Sequence, residues 1–195
     1  LVSELSDEYY FTVYCNGSLY HKKERQNKNT NVRLIYLPFI ASGWQSYIYD
    51  FVSLIHAFTF HKNIIYLGPT FGFLTFLNLI FKRNLITNYG GLNEWERPKY
   101  NQFQKWLLKI NIDVATRFSN FNVVDNYELK KSIESTFNCS SLIIRYGGDH
   151  FKKNYNHDKS LINKYPFVKG KYYLSVARAQ VDTNLHLLIN TFKDG

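Results

Sequence analysis

Between residues 10 and 144, short runs of β-branched and aromatic residues alternate with longer stretches that repeat apolar residues at helical spacing. No other feature of the chain limits its fold so strongly. Tyr10-Phe11-Thr12-Val13-Tyr14-Cys15 reads as a strand, as do residues 32–37, 63–67, 84–87, 121–124 and 141–144. Pro38 closes the second of these and Gly68-Pro69 the third. Residues 44–60 place Ile48, Phe51, Val52, Ile55 and Phe58 on one helical face, and residues 71–81 and 127–137 are also helical in spacing. A longer helix with Pro98 near its start runs to about Phe118 and presents Phe103, Trp106, Leu107, Ile110 and Val114. Short apolar strands each followed by a helix build a parallel sheet wrapped by helices. With right-handed crossovers the expected fold is α/β, a Rossmann-like parallel sheet with helices on both faces.

The last 24 residues open the same pattern again. Residues 172–177 read as a strand, Arg178 stands in a polar turn, and a helix begins at Asp182-Thr183 with Leu185, Leu188 and Ile189 on one face. Such a unit starts a phosphate-binding α/β domain. The expected organisation is a Rossmann-like domain over residues 1–150 and a linker over 151–170. Residues 171–195 are then the first strand and helix of a second, incomplete domain. Residues 1–5 read as the end of a helix already under way, and the chain contains no Met. The expectation is therefore a piece of a longer two-domain protein, truncated at both ends.

With 45% hydrophobic and 20% charged residues, the 195-residue chain is globular rather than disordered. Its net charge of +9 draws nucleic acid, anionic membrane faces or phosphorylated substrates without choosing among them. No run approaches the roughly 18 apolar residues of a membrane span; the nearest, residues 71–81, is cut short by Asn78 and Lys82-Arg83. Cys15 and Cys139 lie far apart and read as two buried thiols of a reducing compartment, not as a disulfide framework. None of the six His falls at metal-ligand spacing, so no metal site is expected.

Open α/β sheets bind ligands beyond the carboxyl ends of their strands, which directs attention to residues 68–70, 88–97, 125–126 and 146–150. Gly90-Gly91 allows close backbone approach. Glu94, Trp95, Glu96 and Arg97 behind it suit sugar hydroxyls and a stacking face, though the same residues also make a tight turn with a solvated charged loop. In Tyr146-Gly147-Gly148-Asp149-His150, Asp149 is free to accept hydrogen bonds from a substrate or from its own turn. Arg178 and the helix amides after it suit a shared diphosphate; an ion pair with Asp182 is the alternative. There is no P-loop lysine motif and no GxSxG elbow.

Taken in order, these segments resemble the bacterial family 4 glycosyltransferases of the GT-B fold, most closely their rhamnosyltransferase-like branch. The resemblance rests on residues 87–97 (T-N-Y-G-G-L-N-E-W-E-R), 146–149 (Y-G-G-D) and 176–184 (V-A-R-A-Q-V-D-T-N), with residues 1–15 similar to that family's first helix and second strand. Gly90 departs from the usual Asp, Asn93 is an insertion, and Thr183 stands where many members carry a lysine. The resemblance implies transfer of a sugar, rhamnose among the candidates, from a nucleotide diphosphate sugar. The acceptor would be a saccharide or lipid-linked saccharide in cell-surface polysaccharide synthesis, such as lipopolysaccharide or capsule. Transfer would be retaining, with no metal or other cofactor. It further implies that Gly90, Gly91, Glu94, Trp95 and Arg97 meet the acceptor and that Tyr146, Gly148 and Asp149 line an interdomain crevice. Arg178 and Asn184 would hold the donor diphosphate, with Arg178 stabilising its developing charge. The family's glycine loop would precede Leu1 and its acidic donor-sugar motif would follow Gly195, so residues 1–195 alone are expected to be inactive.

A cytoplasmic location is implied, with peripheral contact at the inner membrane face. Residues 71–83 are one candidate for that contact, unless Leu74, Phe76, Leu77 and Ile80 are simply core. The rival reading is a basic nucleic-acid-binding α/β module using residues 22–28 and 152–159. Against it, the basic residues are scattered through loops and no RNP, KH or zinc-finger spacing occurs, so no nucleic acid is expected as partner.

Overall fold

A computed structural model describes residues 2–18, 25, 29–41, 43–91, 100–147, 159–177 and 183–192. The chain divides into two units, residues 1–96 with 100–145, and residues 97–99 with 146–195.

In the first unit the order is α1 (Val2–Leu5), β1 (Phe11–Asn16), β2 (Val32–Leu37), α2 (Gln45–Phe60) and β3 (Asn63–Leu67). A 3-10 helix (Gly72–Leu77) then runs into α3 (Asn78–Phe81). It continues with β4 (Asn84–Tyr89), α4 (Gln102–Phe118), β5 (Phe121–Val124), α5 (Tyr127–Phe137) and β6 (Leu142–Ile143). Among the described residues all pairings are parallel, in two sheets ordered β1-β2 and β3-β4-β5-β6. The α/β, parallel-sheet expectation holds.

Polar side chains set the helix limits. At α4, Asn101 Oδ1 accepts from the Gln104 N–H at 2.8 Å and Gln104 Oε1 accepts from the Asn101 N–H at 3.0 Å. This capping box starts the helix at Gln102; Pro98 lies outside the described residues. Asn126 caps α5 through the Leu129 N–H at 2.8 Å, and Asn138 ends that helix at φ 49°.

Residues 71–81 are not the single helix their spacing predicts. Asn111 of α4 takes the Phe73 N–H on its Oδ1 at 2.9 Å, and a Cβ on Gly72 would stand 2.2 Å from the Asn111 carbonyl oxygen. This contact accompanies the tighter 3-10 coil. The buried stripe of α4 is correspondingly small and polar: Asn111, Ile112, Ala115 and Thr116. Phe103 and Trp106, expected on the packed face, are exposed and stack on each other at 5.8 Å.

Two clusters make the core. One joins Leu54, Ala57 and Phe58 of α2 to Ile64, Tyr66, Leu74 and Leu85; the other joins Tyr89, Val124, Ile112, Ala115, Leu129, Ile133 and Phe137. Burying each large side chain of this kind contributes about 1.5–3 kcal/mol. Along β3, buried Ile64 and Tyr66 alternate with Ile65 and Leu67, which are 52% and 70% exposed. The helices α2, α4 and α5 and the 3-10 helix therefore all cover the face of Ile64, Tyr66, Leu85 and Tyr89. Helices on both faces are not what the described residues show for this sheet. Successive strands added in one direction by right-handed crossovers carry their helices to one side.

The second unit holds α6 (Lys159–Lys164), a 3-10 turn (Pro166–Lys169) and α7 (Leu185–Thr191). The helix expected after Arg178 is present as α7, but residues 172–177 form no strand. A strand exists only through a ladder, and among the described residues this segment has none; Tyr173 and Val176 are 86% and 90% exposed. Among the described residues, no helix is long and apolar enough to cross a membrane.

Candidate functional site

Strand β3 delivers Tyr66 to the carboxyl end of the sheet, where the chain turns through Gly68 at φ 70°. The Gly68 N–H donates to the Asn88 carbonyl at 2.9 Å, so this turn is held beside the end of β4. From α2, Asp50 reaches into the same place. Its Oδ2 accepts from the Tyr66 hydroxyl at 2.7 Å and from the Phe71 N–H at 3.2 Å. The Phe71 N–H also donates to the Tyr66 oxygen at 3.0 Å.

Burial pushes the Asp50 carboxyl up to about 6, the Tyr66 and Phe71 hydrogen bonds drawing it back only in part. Burial and the adjacent Asp50 hold the Tyr66 phenol well above its ordinary range. Tyr47 packs edge-on to Phe71 at 5.7 Å, its phenol raised by burial and then by Tyr100 and Asp50. Tyr49 is raised to about 12, again mainly by burial. A carboxyl near half-protonation at weakly acid pH, set among phenols at the carboxyl end of a parallel sheet, is equipped to exchange hydrogen bonds or a proton with a hydroxyl-rich ligand. The same bonds also tether α2 to the loop after β3.

Gly90 and Gly91 leave the sheet at the same end, since β3 and β4 are paired through Leu67 and Asn88. Gly90 is exposed and Gly91 half-buried. Tyr89 before them is buried, its hydroxyl donating to Asn122 Oδ1 at 3.0 Å. Glu94, Trp95 and Arg97 lie outside the described residues. Of the expected crevice residues, Tyr146 is 72% exposed and belongs to the second unit; Gly148 and Asp149 lie outside the described residues. So does Arg178. Asn184 adopts φ 52° at the start of α7, without a side-chain cap. The structure thus groups Gly90 and Gly91 with Asp50 and Tyr66, a pair that reasoning from sequence missed. A signal was present: Asp50 falls on the helical repeat of Ser46, Ser53, Leu54 and Ala57, the buried stripe of α2.

At the amino ends of the strands, a cleft of about 390 Å³ is lined by Lys82, Arg83 and Arg117 with Asn78, Leu79 and Asn120 among its neighbours, the Arg117 Nε donating to Asp113 Oδ1 at 2.9 Å. Arg83 Nε donates to the Phe58 carbonyl at 2.8 Å, closing the end of α2. Leu74 is core and Leu77 packs against it, whereas Leu79 and Ile80 are 64% and 70% exposed beside the cleft. The core reading of residues 71–81 therefore fails at Ile80.

Both thiols are free and half-buried, and burial raises each of them. Among the described residues no group of three His, Cys, Asp or Glu is placed to hold a metal. No protein-family model matches the chain, and no curated protein matches it.

Proposed function

We propose that this chain is the acceptor-side part of a GT-B glycosyltransferase that moves a sugar from a nucleotide diphosphate sugar to a saccharide acceptor. The observation that carries the reading is the grouping, at the carboxyl end of one parallel sheet, of the paired glycines 90–91 with the Asp50–Tyr66 pair. Open α/β sheets bind ligands at that end, and a carboxyl and a phenol beside paired glycines are groups that suit vicinal hydroxyls. In this reading Glu94, Trp95 and Arg97 meet the acceptor; Tyr146, Gly148 and Asp149 face the crevice. Arg178 and Asn184 receive the diphosphate, so no metal is required to neutralise the leaving group. Asp50 orients an acceptor hydroxyl or takes its proton. The exposed Leu79 and Ile80 beside Lys82, Arg83 and Arg117 support contact with an anionic membrane that carries a lipid-linked acceptor.

The test is transfer of labelled sugar by the protein that contains residues 1–195, assayed with a panel of nucleotide diphosphate sugars, alongside titration with single-stranded oligonucleotides. Sugar transfer or hydrolysis that depends on Arg178 supports the reading. Strong, salt-dependent oligonucleotide binding with no sugar chemistry replaces it with a nucleic-acid module.

A further inference from the structure

The chain carries 24 Lys and Arg, yet among the described residues the Asp50 carboxyl has no cationic partner. Its Oδ2 accepts from the Tyr66 hydroxyl at 2.7 Å and from the Phe71 N–H at 3.2 Å. Among the described residues its Oδ1 accepts no hydrogen bond, and the only buried side-chain nitrogen or oxygen without a partner is His61 Nε2. Oδ1 is therefore open to solvent.

The groups around this carboxyl supply no positive charge. Tyr66 stands on β3, and Tyr47 and Tyr49 on α2. Tyr49 is coupled in turn to Tyr14 and Cys15 of β1, and Tyr47 to Tyr100. Each of these side chains is neutral or becomes anionic on ionisation. Arg33 acts on Tyr14 but not on Asp50. Burial accordingly raises the carboxyl to about 6 with no ion pair to draw it back, and above that pH a half-buried negative charge stands uncompensated.

The geometry selects among the cations that could compensate it. A guanidinium binds a carboxylate best through both oxygens, and Oδ2 is already engaged by Tyr66 and Phe71. Calcium and magnesium ions need a shell of about six or more oxygens, for which one carboxylate oxygen is too few. A primary ammonium is a compact point charge whose N–H donors need no paired acceptor. A second acceptor stands close by. Tyr47 lies one helical turn before Asp50, its ring is edge-on to Phe71 at 5.7 Å, and its hydroxyl makes no hydrogen bond among the described residues. Its ring also attracts a cation.

We propose that this place takes a primary ammonium group, its N–H donors shared by Asp50 Oδ1 and the Tyr47 hydroxyl, and that the saccharide acceptor is an amino sugar. Naming the acceptor rests on the reading of the carboxyl end as an acceptor site; the ammonium site itself requires no sugar transfer.

Amide shifts of Tyr47, Asp50 and Phe71 in proton–nitrogen spectra of the chain test it, in titrations with D-glucosamine, D-glucose and N-acetyl-D-glucosamine at pH 7. These sugars share a ring and differ in carrying an ammonium, a hydroxyl or an acetamide at one carbon. Glucosamine is expected to bind about tenfold or more tightly than the other two, the scale of a hydrogen bond to a charged group. Asp50→Asn is expected to erase that preference. In the parent, lowering the pH to 5 is expected to weaken glucosamine about tenfold as the carboxyl takes up its proton, with glucose unchanged. No shift at these amides, or a preference that survives Asp50→Asn, overturns the proposal. Equal affinities for glucosamine and glucose overturn it too, while leaving sugar transfer standing. Should Asp50→Asn not fold, the parent decides, and a glucosamine affinity unchanged between pH 7 and 5 overturns the proposal. A preference for glucosamine in a protein that transfers no sugar upholds the ammonium site and removes the acceptor assignment.

Discussion

The hydroxyl of Tyr66 on β3 donates a 2.7 Å hydrogen bond to the carboxyl of Asp50 on α2, a pair sixteen residues apart that closes over the turn after the strand. It ties helix α2 to the carboxyl end of β3. The Phe71 N–H completes the arrangement, so the state of one carboxyl bears on a helix, a strand and a loop.

Asp50 gives the protein a pH signature. Its carboxyl titrates near 6 when folded, against an ordinary value of 3.8. Between those values the folded chain binds the proton more tightly than the unfolded chain. This group's contribution is therefore greatest below about pH 4 and declines as pH rises through 6, by on the order of 2–3 kcal/mol. Asp50→Asn removes that decline. Urea unfolding across pH 4–7 checks it: the stability difference between variant and parent is expected to change in favour of the variant as pH rises, and a constant difference contradicts the assignment.

Gly72 is a position where only hydrogen fits. A Cβ there meets the Asn111 carbonyl oxygen at 2.2 Å and the Ala115 Cβ at 3.0 Å, so Gly72→Ala is expected to cost about 1–3 kcal/mol. Gly147, with nothing within 4 Å of its added Cβ, serves as the control and is expected to tolerate Ala with little change. Chemical denaturation midpoints for the two variants separate the cases.

Tyr89→Phe tests the buried polar network under β4. Asn122 is buried, its Nδ2 donating to the Thr116 and Ser140 carbonyls at 3.1 and 3.2 Å, and its Oδ1 accepting from the Tyr89 hydroxyl. Removing that hydroxyl leaves a buried acceptor unpaired, at a cost of about 1–3 kcal/mol. Thermal unfolding at constant pH reads it, and an unchanged midpoint shows that Asn122 finds another donor.

On the proposed function, Arg178→Ala is expected to lower sugar-transfer turnover by about 10²-fold or more, the scale of losing one charge-stabilising donor. Glu94→Gln and Arg97→Ala are expected to change acceptor use while sparing nucleotide binding. Steady-state kinetics with donor and acceptor varied separately distinguish these outcomes. Unchanged turnover on loss of Arg178, or loss of nucleotide affinity at Glu94, removes the corresponding role.

Leu79 and Ile80 are exposed beside Lys82 and Arg83. Replacing both with Asp is expected to weaken co-sedimentation with phosphatidylglycerol vesicles several-fold while leaving the unfolding midpoint nearly unchanged. Equal sedimentation of parent and variant places any membrane contact elsewhere.

Much of this fold was legible because its signals are local. Strand β3 and helix α5 occupy the residues that apolar runs and helical spacing indicated. The 3-10 coil at Gly72–Leu77 was not, because it depends on Asn111, nearly forty residues later. The packed face of α4 was misread for a related reason. Aromatic Phe103 and Trp106 look like core, but close approach of the 3-10 helix favours small Ala115 and polar Asn111. Residues 172–177 have strand composition and no ladder, and composition cannot supply a partner.

For the candidate site, the paired glycines announced themselves, since closely spaced glycine after a strand means backbone freedom wherever the chain goes next. Asp50 did not. By itself the sequence determined the α/β class and the parallel order of elements, both consequences of apolar periodicity along the chain. Only the tertiary structure decided that a helical aspartate is half-buried against Tyr66 and that, among the described residues, the helices of the larger sheet share one face. Each of these depends on which distant surfaces meet, and dehydration and hydrogen bonding act only once they do.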